Sequence, residues 1–155
     1  MLPKYLLFWC LIPFCAHAQK LEGTYSDTYK TNGEAPYHFI NIHRMPNGGY
    51  LFYLEVCRGA PSYNSGAMYG KLTYNKATGN YEYLPVSADD CKLVLSHKSN
   101  KIIIKTISGD CPFGYGVYAD ATYKLRIDHN PSYCFTRTGK KVYFNKTPPG
   151  KFTED

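Results

Sequence analysis

The sequence predicts an all-β protein: a single antiparallel β-barrel, or a closely related sandwich, of about eight to ten strands carrying two disulfides. Three observations predict it. Apolar residues alternate with period two along much of the chain, and no stretch has the three-four spacing of an amphipathic helix. The 155 residues include 16 tyrosines and 8 phenylalanines, side chains that suit strands better than helices. Turn signals recur at short intervals, at Asn32-Gly33, Asn47-Gly48-Gly49, Ser108-Gly109-Asp110 and Asn130-Pro131, as tight connections between short strands require.

Taken in order, residues 1–18 have the form of a secretory signal peptide. Lys4 supplies a positive start, Leu6 to Phe14 is an apolar run broken by Pro13, and Ala16-His17-Ala18 places small residues where a signal peptidase reads them. The run is too short and too broken to span a membrane, and Phe14 is too bulky to precede a lipidated Cys15. The expected protein is therefore periplasmic or secreted, with a β-domain over residues 19–146 and a disordered tail over 147–155. Lys4 is the only charge in the leader, so 18 basic and 12 acidic residues become 17 and 12, a mature net charge of +5.

Within the domain, Tyr37 to His43 alternates as a strand. Gly49 to Cys57 does so more strongly, with Tyr50, Phe52, Leu54 and Val56 on one face. Ala67 to Tyr74 and Tyr81 to Val86 read as a hairpin closed by Lys76-Ala77-Thr78-Gly79. Cys91 to His97 and Lys101 to Ile107 read as a second, turning at Ser99-Asn100. Val117 to Ile127 reads as one long strand with a bend. Tyr133 to Thr136 and Lys141 to Phe144 form a last hairpin around Thr138-Gly139.

Four cysteines follow the leader, and in an exported chain the default is two disulfides. A turn at Ser99-Asn100 sets Cys91 across from about Ser108, close to Cys111, so a Cys91–Cys111 bridge staples the base of that hairpin. Cys57 and Cys134 are then left to join the third strand to the last hairpin. No CxxC pair and no His at ligand spacing from a Cys occurs, so no metal site is expected.

Catalytic arrangements are equally sparse. There is no Gly-x-Ser-x-Gly elbow, and His38 and His43, five apart on one strand, point to opposite faces. Of the carboxylates that glycoside chemistry would need, Asp89 and Asp90 sit in a turn, with Asp110 and Asp120 further on. The chain is expected not to be an enzyme and to need no cofactor. Lys140, Lys141, Lys146 and Lys151 are the one basic concentration; the remaining cations are dispersed, which with export argues against a nucleic-acid partner.

Two motifs carry resemblances. Ser65-Gly66-Ala67-Met68-Tyr69 resembles the Ser-Gly-Ala-basic-Tyr loop of the periplasmic inhibitors of c-type lysozyme, which are small disulfide-stapled β-barrels. That resemblance implies a loop that enters the lysozyme cleft and hydrogen-bonds its catalytic carboxylates. Met68 departs from the pattern, and Lys71 is a weak stand-in for a later Lys-Gly motif. Cys111-Pro112-Phe113-Gly114-Tyr115-Gly116-Val117-Tyr118-Ala119-Asp120-Ala121-Thr122-Tyr123 is similar to the closing segment of small exported bacterial β-domains that begin, as here at Gly23-Thr24-Tyr25, with Gly-x-Tyr. Gly23-Thr24-Tyr25 also resembles the Gly-x-Trp start of lipocalins.

These readings lead to an exported protein-binding module, an inhibitor or immunity protein that blocks a lysozyme-like cell-wall hydrolase or another toxin. The alternative is a lipocalin-like carrier of a small apolar ligand; the many bulky aromatics favour a filled barrel instead. The binding surface is expected on the loop after the third strand, at Arg58, Ser62, Tyr63, Asn64, Ser65, Met68 and Tyr69, where tyrosines offer stiff contact area and Arg58 a planar charged fork. A basic lysozyme would gain no electrostatic steering from a partner that is itself basic.

Overall fold

A computed structural model describes residues 20–28, 35–84 and 91–154. The expected signal peptide, residues 1–18, and the expected turn at Asp89-Asp90 lie outside the described residues. Eight antiparallel strands form a closed barrel in sequence order: β1 (Gly23–Ser26), β2 (Tyr37–Arg44), β3 (Tyr50–Cys57), β4 (Ser65–Asn75), β5 (Asn80–Tyr83), β6 (Lys92–Lys98), β7 (Lys101–Ser108) and β8 (Ala121–Ile127). β1 pairs with β8 to complete the ring. A separate two-stranded sheet, β9 (Tyr133–Phe135) and β10 (Lys141–Tyr143), packs outside it.

Alternation decides what fills the barrel. In β3, Phe52, Leu54 and Val56 join Ile40 and Ile42 of β2, Met68 and Leu72 of β4, Leu93 and Leu95 of β6, Ile102 and Ile104 of β7, and Tyr123 of β8 in one buried cluster. Each fully buried Leu, Ile or Phe contributes about 1.5–3 kcal/mol. Tyr25 adds its ring from β1 and donates its hydroxyl to the Leu21 carbonyl at 2.9 Å. Such side chains occupy the bore of an eight-stranded barrel.

The other face of β3 is buried as well. Leu51 and Tyr53, with Tyr69 of β4, pack against Cys134, Val142 and Phe144 of the outer sheet. The C-terminal segment completes the cover: Phe152 stacks on Tyr69 with ring centroids 4.7 Å apart, and the Tyr69 hydroxyl donates to the Thr147 carbonyl at 2.7 Å. Residues 147–154, expected as a disordered tail, lie against the barrel in the structure. The aromatic surface of β3 and β4 gives the segment its reason to dock.

Several sequence expectations change. β1 was not foreseen as a strand; only Tyr25 among its four residues is a bulky core side chain. Val117 to Asp120 is not strand: it turns into the barrel mouth, burying Val117 and Ala119. The Cys91–Cys111 disulfide is present, with Cα atoms 4.4 Å apart. The expected Cys57–Cys134 bridge is not: both are free, buried thiols. That pairing rests on elimination alone, with no shared hairpin register behind it. Cys57 instead closes its own loop, accepting the Gly59 N–H at 3.4 Å. Cys134, the middle residue of β9, faces into the outer cluster, where burial pushes its thiol up to about 12. Neither thiol is therefore expected to react with Ellman's reagent in the native protein, and two are expected per chain after denaturation. Titration of either thiol in the folded state would refute this packing.

Candidate functional site

A meander barrel sends alternate connections to opposite ends. The turns 45–49, 76–79 and 99–100 lie at one end, and the longer connections, among them 58–64 and 109–120, at the other. Long loops on a rigid scaffold are where binding residues concentrate. Two of these loops, 58–64 and the stretch 111–119, form a joint surface.

The first is closed on itself by Arg58 N–H to the Asn64 carbonyl at 2.8 Å and Tyr63 N–H to the Gly59 carbonyl at 2.8 Å. Tyr63 has φ 51°, a left-handed conformation that costs an L-residue about 1–2 kcal/mol. The second loop is held at Cys111 by the disulfide and at Ala119, whose carbonyl accepts the Tyr123 hydroxyl at 2.8 Å.

The two loops meet backbone to backbone. Gly66 bridges to Phe113, the Gly114 N–H donates to the Ser65 carbonyl at 3.1 Å, and the Asn64 side-chain amide donates to the Tyr115 carbonyl at 2.8 Å. Glycine makes this approach possible: a Cβ on Gly66 would stand 2.5 Å from both Phe113 Cα and the Pro112 carbonyl oxygen. Gly116, at φ 72°, leaves room for the Arg58 guanidinium, which a Cβ there would meet at 2.8 Å.

The outcome is a pinned platform from which three tyrosines project. Tyr63 is 51% exposed, Tyr115 90% and Tyr118 70%. Large rings left in water on a braced backbone are ready to bury area against a partner at little entropic cost.

The structure redistributes the residues expected to bind. Arg58, Ser62 and Tyr63 are exposed on the first loop. Asn64 spends its amide on fastening the loops together, and the half-buried Ser65 hydroxyl accepts from Arg137 Nη1 at 3.1 Å. Arg137 in turn pairs with Glu154. Met68 points into the barrel, its sulfur 3.8 Å from Cys91 Sγ, and Tyr69 lies beneath Phe152. Met68 and Tyr69 therefore belong to the two cores and not to the surface. Tyr115 and Tyr118, exposed beside this loop, are not singled out by the sequence reading. The available signal was two tyrosines in a Gly-rich stretch directly after a disulfide cysteine.

Elsewhere, Asp27 Oδ2 lies 2.9 Å from His38 Nδ1. Burial by itself would raise the Asp27 carboxyl, but its hydrogen bonds and charge attraction with His38 hold it below its ordinary range. His97 is half-buried with Nε2 enclosed and unpartnered, and burial lowers its basicity. Among the described residues no three His, Cys, Asp or Glu side chains form a metal-binding group. A cavity of about 470 Å³, lined by Tyr50, Leu72, Tyr81 and His97, opens at the tight-turn end. Comparison of the chain with known protein families, with curated proteins and with solved structures gave no match.

Proposed function

We propose that this is an exported protein-binding module, an inhibitor or immunity protein that covers the working cleft of a cell-wall hydrolase or another toxin. The observation that carries the reading is the tyrosine platform: Tyr63, Tyr115 and Tyr118 project from two loops joined by a β-bridge and a side-chain hydrogen bond, the second of them anchored by a disulfide. Aromatic anchors on a preorganised surface dominate binding energy in protein interfaces. Arg58 adds a cation beside them. The Ser65 to Tyr69 motif supports the reading less, since Tyr69 is covered and Ser65 is engaged by Arg137.

The net charge of +5 is a weaker objection to a basic target than it first looks. Residues 129–153 hold five cations and no carboxylate, so the rest of the mature chain is balanced at 12 against 12. Steering depends on the local field, not the total.

The test is capture by the immobilised mature protein of c-type lysozyme and other secreted or periplasmic hydrolases and toxins. A Tyr63→Ala, Tyr115→Ala, Tyr118→Ala triple variant is expected to weaken the captured complex by about a hundredfold or more. A folded triple variant that binds as tightly as the parent would refute the site. The carrier alternative draws on the 470 Å³ cavity at the opposite end. Native mass spectrometry of the mildly purified protein checks it, since a carrier brings its ligand along.

A further inference from the structure

The outer sheet presents a second surface, chemically unlike the first. Cys134 and Val142 face the barrel, so Tyr133, Phe135, Lys141 and Tyr143 share the opposite, solvent-facing side. Lys141 is paired across the strands with Phe135, and its ammonium stands 3.8 Å from the Tyr133 ring centroid and 5.2 Å from that of Tyr143. Lys146 approaches the Tyr143 ring at 5.3 Å. Lys140 and Lys151 line the same small hollow as Lys141 and Lys146.

No Asp or Glu lies between Asp128 and Glu154 in the sequence. Both flanking carboxylates are already committed, Asp128 to Lys20 and Glu154 to Arg137. The patch is therefore locally cationic, its hollow is lined by no carboxylate, and its four lysines supply four of the five excess charges of the mature chain. Its neighbourhood is also apolar. Phe135 is 53% exposed and Ile127 45% exposed. The two share a groove of about 440 Å³ that Tyr133 also lines.

We propose that this face docks the protein on an anionic lipid bilayer, with the four lysines at the headgroups and Phe135 and Ile127 entering the interfacial layer. Charge complementarity selects an anionic partner. The apolar component then separates a bilayer from a hydrated polyanion, which would satisfy the lysines and leave Phe135 and Ile127 in water. Tyrosines with an apolar body and a polar tip, flanked by lysines, match the chemistry of the membrane–water boundary. The tyrosine platform uses other residues, so the two proposals stand or fall separately.

The test is co-sedimentation of the mature protein with vesicles of phosphatidylcholine alone or containing phosphatidylglycerol, with retention on immobilised heparin as the polyanion arm. Binding is expected only where phosphatidylglycerol is present, and is expected to weaken as salt rises. Replacing Lys140, Lys141, Lys146 and Lys151 by Gln should cut partitioning about a thousandfold. Phe135→Ser should cut it about tenfold while leaving heparin retention as it was. Circular dichroism checks that each variant is folded, and Lys141→Gln alone provides a milder step. The proposal is overturned if phosphatidylglycerol vesicles do not bind the parent, or bind it no better than pure phosphatidylcholine. It is also overturned if Phe135→Ser leaves vesicle binding intact, which would mark the face as a polyanion site.

Discussion

Replacing Cys91 and Cys111 together by alanine is expected to destabilise the mature protein by about 3 kcal/mol, on the chain-entropy argument for a loop of this size. The bridge joins residues 20 apart in sequence and encloses the β6–β7 hairpin. Without it the unfolded chain regains the freedom of that loop. For a domain of this length the change corresponds to a fall in melting temperature of about 10 °C, readable by thermal circular dichroism. The effect should also be local. Cys111 starts the stretch that carries Tyr115 and Tyr118, so amide exchange over 113–118 should quicken more than exchange in β3. An unchanged melting temperature would mean that the bridge does not restrain the unfolded chain as argued.

Gly66→Val is expected to be about as damaging, at about 3 kcal/mol for an unrelieved overpacked contact. Even the first added carbon would stand 2.5 Å from Phe113 Cα and from the Pro112 carbonyl oxygen. Both are backbone atoms and cannot rotate aside. Either β4 or the 112–114 backbone must move, and the movement breaks the Gly114 N–H bond to the Ser65 carbonyl. Chemical denaturation should show the loss, and hydrogen exchange should show the Gly114 amide deprotected. Gly66→Ala should act in the same direction. A variant with the parent's midpoint and a still-protected Gly114 amide would refute the backbone contact between the loops.

How far the sequence reveals this architecture depends on how local each determinant is. Lys76 to Gly79 and Ser99-Asn100 each close a hairpin by themselves, so β4 to β7 and the Cys91–Cys111 bridge follow from residues near one another in the chain. The face of β3 bearing Phe52, Leu54 and Val56 follows from alternation in the same way. β1 escapes because four residues are too few to show a period. Val117 to Asp120 misleads because the stretch alternates like a strand, although Gly116 at φ 72° and the buried Ala119 take it into the barrel mouth.

The site is harder to read for the same reason. Whether Tyr69 meets a partner or a core depends on what covers the outside of β4. The cover comes from Phe152, more than eighty positions away, and no local pattern announces it. Cys57 and Cys134 likewise share no register. The loop 58–64 was recognisable from its composition, but its partnership with Tyr115 and Tyr118 depends on the Gly66–Phe113 bridge, a contact between segments far apart in sequence.

The central claim, that Tyr63, Tyr115 and Tyr118 form one protein-binding platform, is tested most directly by site-specific photo-crosslinking. Tyr115→p-benzoylphenylalanine is made beside Tyr74→p-benzoylphenylalanine, whose exposed position on β4 lies at the tight-turn end. Both full-length proteins are produced in cells and irradiated there. The account predicts a discrete crosslinked protein species from position 115, absent from position 74 and lost when Tyr63 and Tyr118 are also replaced by alanine. No crosslink from position 115 together with a clean one from position 74 would contradict it.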